Sequence, residues 1–101
     1  MNQDDRIALA RADSADAILQ HPLIAEALDH YERELTQTWR NSKPRDAQGR
    51  EELHRMLLAA AHFRAYLQAT LDNGKVVQAR VRQQTLMEKA RERLTQFRRA
   101  A

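Results

Sequence analysis

The chain has 101 residues, no cysteine and a formal net charge of +3, with 17 lysine and arginine residues against 14 aspartate and glutamate. That length bounds it to one domain, and the missing cysteines exclude disulfide frameworks, cysteine-ligated zinc and thiol nucleophiles. No stretch approaches the roughly 20 apolar residues of a membrane span, and Met1 is followed by Asn2, Gln3, Asp4 and Asp5 rather than by a basic and apolar leader, so no membrane and a cytoplasmic setting are expected.

Abundant alanine and arginine, with only two glycines and two prolines, favour helix, because these side chains lose little rotamer freedom there. The expected fold is all-α. A first helix is predicted over residues 4 to 20, opened by Asp4 and Asp5 at its positive end and carrying Ile7, Ala8, Ala15, Ile18 and Leu19. His21-Pro22 marks a boundary or kink, since proline disfavours helix at the preceding residue yet fits the first turn of a new one.

From Pro22 to about Arg40 the apolar positions Leu23, Ile24, Ala27, Leu28, Tyr31, Leu35 and Trp39 recur at spacings of three and four, one face of a second helix. On its outer side Asp29 and Arg33 are placed to pair. Asn41 to Gln48 holds no large apolar residue and reads as a turn, with Asp46 as N-cap of a third helix over about 47 to 72. Leu53, Met56, Leu57, Ala60, Phe63, Leu67 and Leu71 form its stripe. Asp72-Asn73-Gly74 reads as a stop, because glycine takes the left-handed conformation cheaply just past a helix.

Helices 22 to 40 and 47 to 72 are therefore expected to form a hairpin core within residues 21 to 74, with residues 1 to 20 as an N-terminal helical arm. Residues 75 to 101 form a basic amphipathic arm, with eight basic residues against Glu88 and Glu92. Its stripe is read as Val77, Val81, Met87, Ala90, Leu94 and Phe97. A hairpin this open leaves apolar faces uncovered, so a homo-oligomer is expected.

Chemistry is sparsely signalled. His30 and Glu34 share a helix face, but no third ligand or HExxH pattern accompanies them, and His54 and His62 do not converge, so neither a metal nor another cofactor is expected. No Gly-rich phosphate loop is present, Glu51 and Glu52 point apart on a helix, and Ser14 and Ser42 lack a base at recognisable spacing; the chain reads as non-enzymatic. Tyr31 and Trp39 fall on an apolar stripe and read as core.

Three roles stay open for the basic arm. It is a plain solvated face, or Arg80, Arg82, Arg91, Arg93, Arg98 and Arg99 contact nucleic-acid phosphates without sequence preference, or Met87, Arg91, Leu94, Phe97 and Arg98 dock on an acidic partner protein.

The succession His21-Pro22-Leu23-Ile24, Glu26-Ala27-Leu28, Trp39 with Asn41-Ser42, Asp46 with Gly49-Arg50-Glu51-Glu52-Leu53, and Leu71 to Gly74-Lys75 resembles small helical proteins of tailed phages and prophages. Those proteins are encoded in the head-assembly and DNA-packaging gene cluster. The resemblance spans about residues 20 to 78. It implies a non-enzymatic assembly or packaging protein, analogous to a reduced small terminase subunit, that self-associates and recruits a packaging or head protein such as the large terminase through its C-terminal tail. Its setting would be the host cytoplasm or the virion. Residues 1 to 20 are too short for the helix-turn-helix that many small terminases carry, so at most a weak DNA contact is expected. The rivals are a nonspecific nucleic-acid binder and a small phage inhibitor of a host protein.

Overall fold

The computed structural model describes residues 1–100. Three helices account for nearly all of them: α1 (Gln3–Gln20), α2 (Pro22–Asn41) and α3 (Ala47–Ala100). Asn2 caps α1, its Oδ1 accepting the Asp5 amide at 2.8 Å, with Asp4 and Asp5 in the first turn where the helix dipole favours carboxylates. His21 leaves the helical region at φ −69° and ψ 118°, and Pro22 opens α2, as the sequence leads one to expect.

Cross-pairs set the topology. Asp5 meets Arg80, Arg11 meets Tyr66, Asp29 meets Arg64 and Trp39 meets Arg50. Sequence numbers rise along α1 and α2 as they fall along α3, so α1 and α2 follow one another down the side of a single antiparallel partner. The result is a helical hairpin whose first limb is broken at His21. It is elongated, 84 × 25 × 20 Å, with a radius of gyration of 23.2 Å against about 13 Å for a compact domain of this length.

The turn is locked by Trp39, Ser42, Asp46, Gly49 and Arg50. Asp46 caps α3, its Oδ1 accepting the Gly49 amide at 3.0 Å. A Cβ at position 49 would press on that carboxylate, so the glycine leaves room for the cap. Arg50 reaches back across the turn, stacking 4.2 Å from the Trp39 ring centre and donating to the Ser42 hydroxyl at 2.9 Å. A cation over an indole face contributes about 0.5–1 kcal/mol at an exposed site. Arg50→Ala is expected to lower stability by that amount and to change the emission of Trp39, the single tryptophan; fluorescence during urea unfolding reads both.

Two expectations are corrected here. Helix does not stop at Gly74: the residue has no positive φ and sits inside α3, so the basic C-terminal segment is the uninterrupted continuation of the long helix. Ala101, the last residue of the expected arm, lies outside the described residues. Gly74 is instead a close-approach site, buried against α1, where an added Cβ would overlap the Cβ of Ala12 and lie 3.6 Å from the Ala8 carbonyl oxygen. Nor is Asp29 paired with Arg33; its carboxylate goes to Arg64, while Arg33 Nε donates to the Asp29 backbone carbonyl at 3.3 Å.

The core is thin and lies along the whole hairpin. Buried apolar residues are Ala12 and Ala15 of α1, Leu35 of α2, and Ala60 and Val77 of α3. Residues 21 to 74 therefore do not form a core from which α1 hangs as an arm; α1 is packed as an integral part of the first limb. Tyr31, Trp39 and Phe63, expected in the core, are only about half covered. Leu35→Ala is expected to cost about 2–4 kcal/mol, more than Leu57→Ala at its half-buried site. Chemical denaturation of the two variants checks the order.

Candidate functional site: the free C-terminal helix

On α3 the covered positions run Leu53, Leu57, Ala60, Arg64, Leu67, Leu71, Gly74, Val77 and Val81, at spacings of three and four. These positions form one continuous seam against α1 and α2. The same spacing carried forward falls on Thr85, Glu88, Glu92 and Thr95, all polar. Packing stops where the seam turns polar, and residues 82 to 100 project as an uncovered helix about 28 Å long.

Beyond Val81 the apolar residues change face. Leu86, Ala90, Leu94 and Phe97 follow one another at spacings of four, four and three, and at about 100° per residue they lie roughly opposite Val81. They line a shallow groove with Lys89 and Arg93. Leu86, Leu94 and Phe97 are 61%, 56% and 73% exposed. The stripe expected from sequence thus joins two faces: Val77 and Val81 belong to the hairpin, and only Ala90, Leu94 and Phe97 belong to the free face. Met87, Arg91 and Arg98 run along one edge of that face, while Lys89 and Arg93 lie at or beside its other edge.

Leu86 was missing from the expected set. Its signal is plain once the phase break is seen, because Leu86 lies four residues before Ala90 and eight before Leu94.

The arginines divide as well. Arg80 forms an ion pair with Asp5, whose side chain is only 9% exposed. The pairing engages one guanidinium nitrogen of Arg80, whose side chain stays 55% exposed. Arg82, Arg91, Arg93, Arg98 and Arg99 are exposed and make no ion pair among the described residues. The free helix carries six basic residues against Glu88 and Glu92, so an apolar stripe is bordered by net positive charge.

The remaining polar pairs lie on the hairpin. Arg64 donates to Glu32 and Asp29, each at 2.7 Å, and its pKa is raised above the ordinary guanidinium value, chiefly by the hydrogen bond to Glu32. A raised folded pKa means that this contribution is present below the unfolded value and is lost only as pH climbs past the guanidinium range, so it is constant near neutrality. His30 and Glu34 pair at 3.1 Å on the open surface. No group of three or more His, Cys, Asp or Glu residues able to hold a metal occurs among the described residues.

No described helix is long and apolar enough to cross a membrane. Comparison with protein families, curated proteins and solved structures finds no match to this chain.

Proposed function

We propose that this chain is a non-enzymatic phage assembly or DNA-packaging protein, small-terminase-like, that self-associates through its hairpin and recruits a partner protein through the free C-terminal helix. The phage setting rests on the ordered resemblance of residues 20 to 78. Recruitment rests on one observation: a helix that contacts nothing in its own fold carries Leu86, Ala90, Leu94 and Phe97 as a continuous apolar stripe. A helix whose task was to solvate or to contact phosphates would have no use for that stripe, whereas helix-in-groove binding reads anchors at this spacing.

The basic border favours a partner with an acidic groove or acidic helix, because complementary charge speeds encounter and fixes register. In a packaging module that partner would be the large terminase or another head protein. The second reading, a nonspecific nucleic-acid contact, is favoured by the five exposed arginines, each phosphate neutralised adding to salt sensitivity.

Co-expression with the large terminase and portal proteins of a phage carrying such a gene tests the proposal. A complex that survives purification with the full chain and disappears when the chain ends at Arg82 is the expected result. Retention of the complex by the shortened chain would remove the free helix from the mechanism. Failure of the full chain to bind either protein, together with retention on a DNA column that is reversed by moderate salt, would install the nucleic-acid reading.

A further inference from the structure

The two flanks of the hairpin differ in chemistry. On one, Arg64 bridges to Asp29 and Glu32, and Arg33, Thr36 and Arg40 continue a polar surface. A step of about 100° per residue places Ala27 and Tyr31 on the opposite side of α2, and Met56 and Phe63 on the matching side of α3. Tyr31, Met56 and Phe63 are each about half exposed, at 46%, 47% and 52%. A cleft lined by Ala15, Ile18, Tyr66 and Leu67 extends the apolar surface onto α1.

The break at His21 explains why this flank is open. Above it, α1 sits over Gly74 and Val77 on the side of the seam that Met56 and Phe63 share, since positions 56, 63 and 77 are related by sevens. Below it, α2 shifts toward Arg64 and leaves Met56 and Phe63 uncovered.

The chain exposes 8457 Å², whereas a compact monomer of 11.7 kDa exposes about 5,900 Å². Part of this excess of roughly 2,600 Å² is the free helix; the rest lies along the thin hairpin, where a standard interface needs only ~800 Å² from each partner. We infer that the flank formed by Ala27, Tyr31, Met56, Phe63 and Tyr66 is covered by the same flank of a second copy, two hairpins pairing about a two-fold axis into a four-helix bundle.

Charge selects the second copy as occupant. Residues 1 to 74 are close to neutral, nine basic against twelve acidic, so two hairpin bodies do not repel strongly, and the five named residues are uncharged, with Glu34 and Glu52 bordering them on the same side. The free helices are different: six basic residues against two acidic ones on each would oppose their pairing with one another. The dimer therefore forms through the hairpins and presents two free helices for recruitment. The inference rests on the self-association in the proposed function and adds its surface and symmetry.

Mass in solution, measured by light scattering from low to high micromolar concentration, tests it. Wild type is expected at twice 11.7 kDa, Phe63→Glu with Met56→Glu at 11.7 kDa with helical circular dichroism retained, and Arg33→Glu on the polar flank as a dimer. As a check that survives an unstable charge variant, a spin label on Ala59→Cys, beside the flank in a cysteine-free chain, is expected to be immobilised at high concentration and mobile at low. An oligomer indifferent to Phe63 and Met56, or one larger than two copies, overturns the two-fold flank pairing while self-association stands. A wild-type monomer throughout overturns both.

Discussion

Gly74→Ala is expected to destabilise the chain by about 1–2 kcal/mol, although alanine is the better helix former by about 1 kcal/mol. The added Cβ would overlap the Cβ of Ala12, which is buried and carried by a rigid helix, so α1 must move outward. Overpacking of this kind typically costs about 1–3 kcal/mol, which exceeds the propensity gain. Gly74→Leu is expected to go further and release α1 from its side of the hairpin, exposing Ala12, Ala15, Val77 and the Asp5 carboxylate. The companion variant decides the cause. Ala12→Gly with Gly74→Ala exchanges the two side chains across the contact, leaving Ala12 Cα at 3.5 Å and the Ala8 oxygen at 3.6 Å, which are ordinary separations. Stability near wild type in the double variant identifies close approach; a double variant as unstable as Gly74→Ala would show that glycine serves the backbone at position 74. Thermal unfolding followed by circular dichroism gives the answer.

Gly74 also shows where local sequence rules lose to tertiary packing. Asp72-Asn73-Gly74 has the composition of a helix stop, but the three-four spacing of Leu67, Leu71, Gly74, Val77 and Val81 passes through it without a break. Ala8, Ala12 and Ala15 carry the complementary signal, small residues on one face of α1 at spacings of four and three. Read together, two stripes of small residues on antiparallel helices mean contact between backbones. Read singly, each looks like a weak helix and a terminator.

The break before α2 and the hairpin turn, by contrast, are legible residue by residue. Pro22, Asp46 and the polar run from Asn41 to Gln48 each act within a few residues of their own position, through a fixed φ, a caught amide or a missing apolar anchor. The stacking of Arg50 on Trp39 spans only the turn, and it gives Trp39, Ser42 and Arg50 a structural job. The free helix was half legible. Its charge and its anchors Leu94 and Phe97 are visible in the sequence, but Val77 and Val81 belong to a different face, a change signalled by the step of six positions from Val81 to Met87. That step is where the apolar face rotates from the hairpin seam to the uncovered side of the helix.

Leu94→Asp with Phe97→Asp is expected to abolish partner recruitment while leaving thermal stability unchanged. Both side chains are more than half exposed, and no described residue covers them, so nothing in the fold depends on their apolar surface. Anchor residues of an interface typically cost at least about 2 kcal/mol each when lost, and two aspartates placed against an apolar groove reduce binding by a factor on the order of a thousand. Replacing Arg91, Arg93, Arg98 and Arg99 by Gln is expected to act differently: it slows association and weakens the complex mainly at low ionic strength, because rim charges steer encounter more than they hold the bound state. Binding measured at two salt concentrations separates the two classes. If the arginine replacement alone removes function and the aspartate pair behaves as wild type, the stripe is not a docking face and the arginines are contacting phosphates. The phase break at Val81 favours the first outcome, since it turns the apolar face of a helix that runs about 28 Å beyond the hairpin away from α1, where only another protein would cover it.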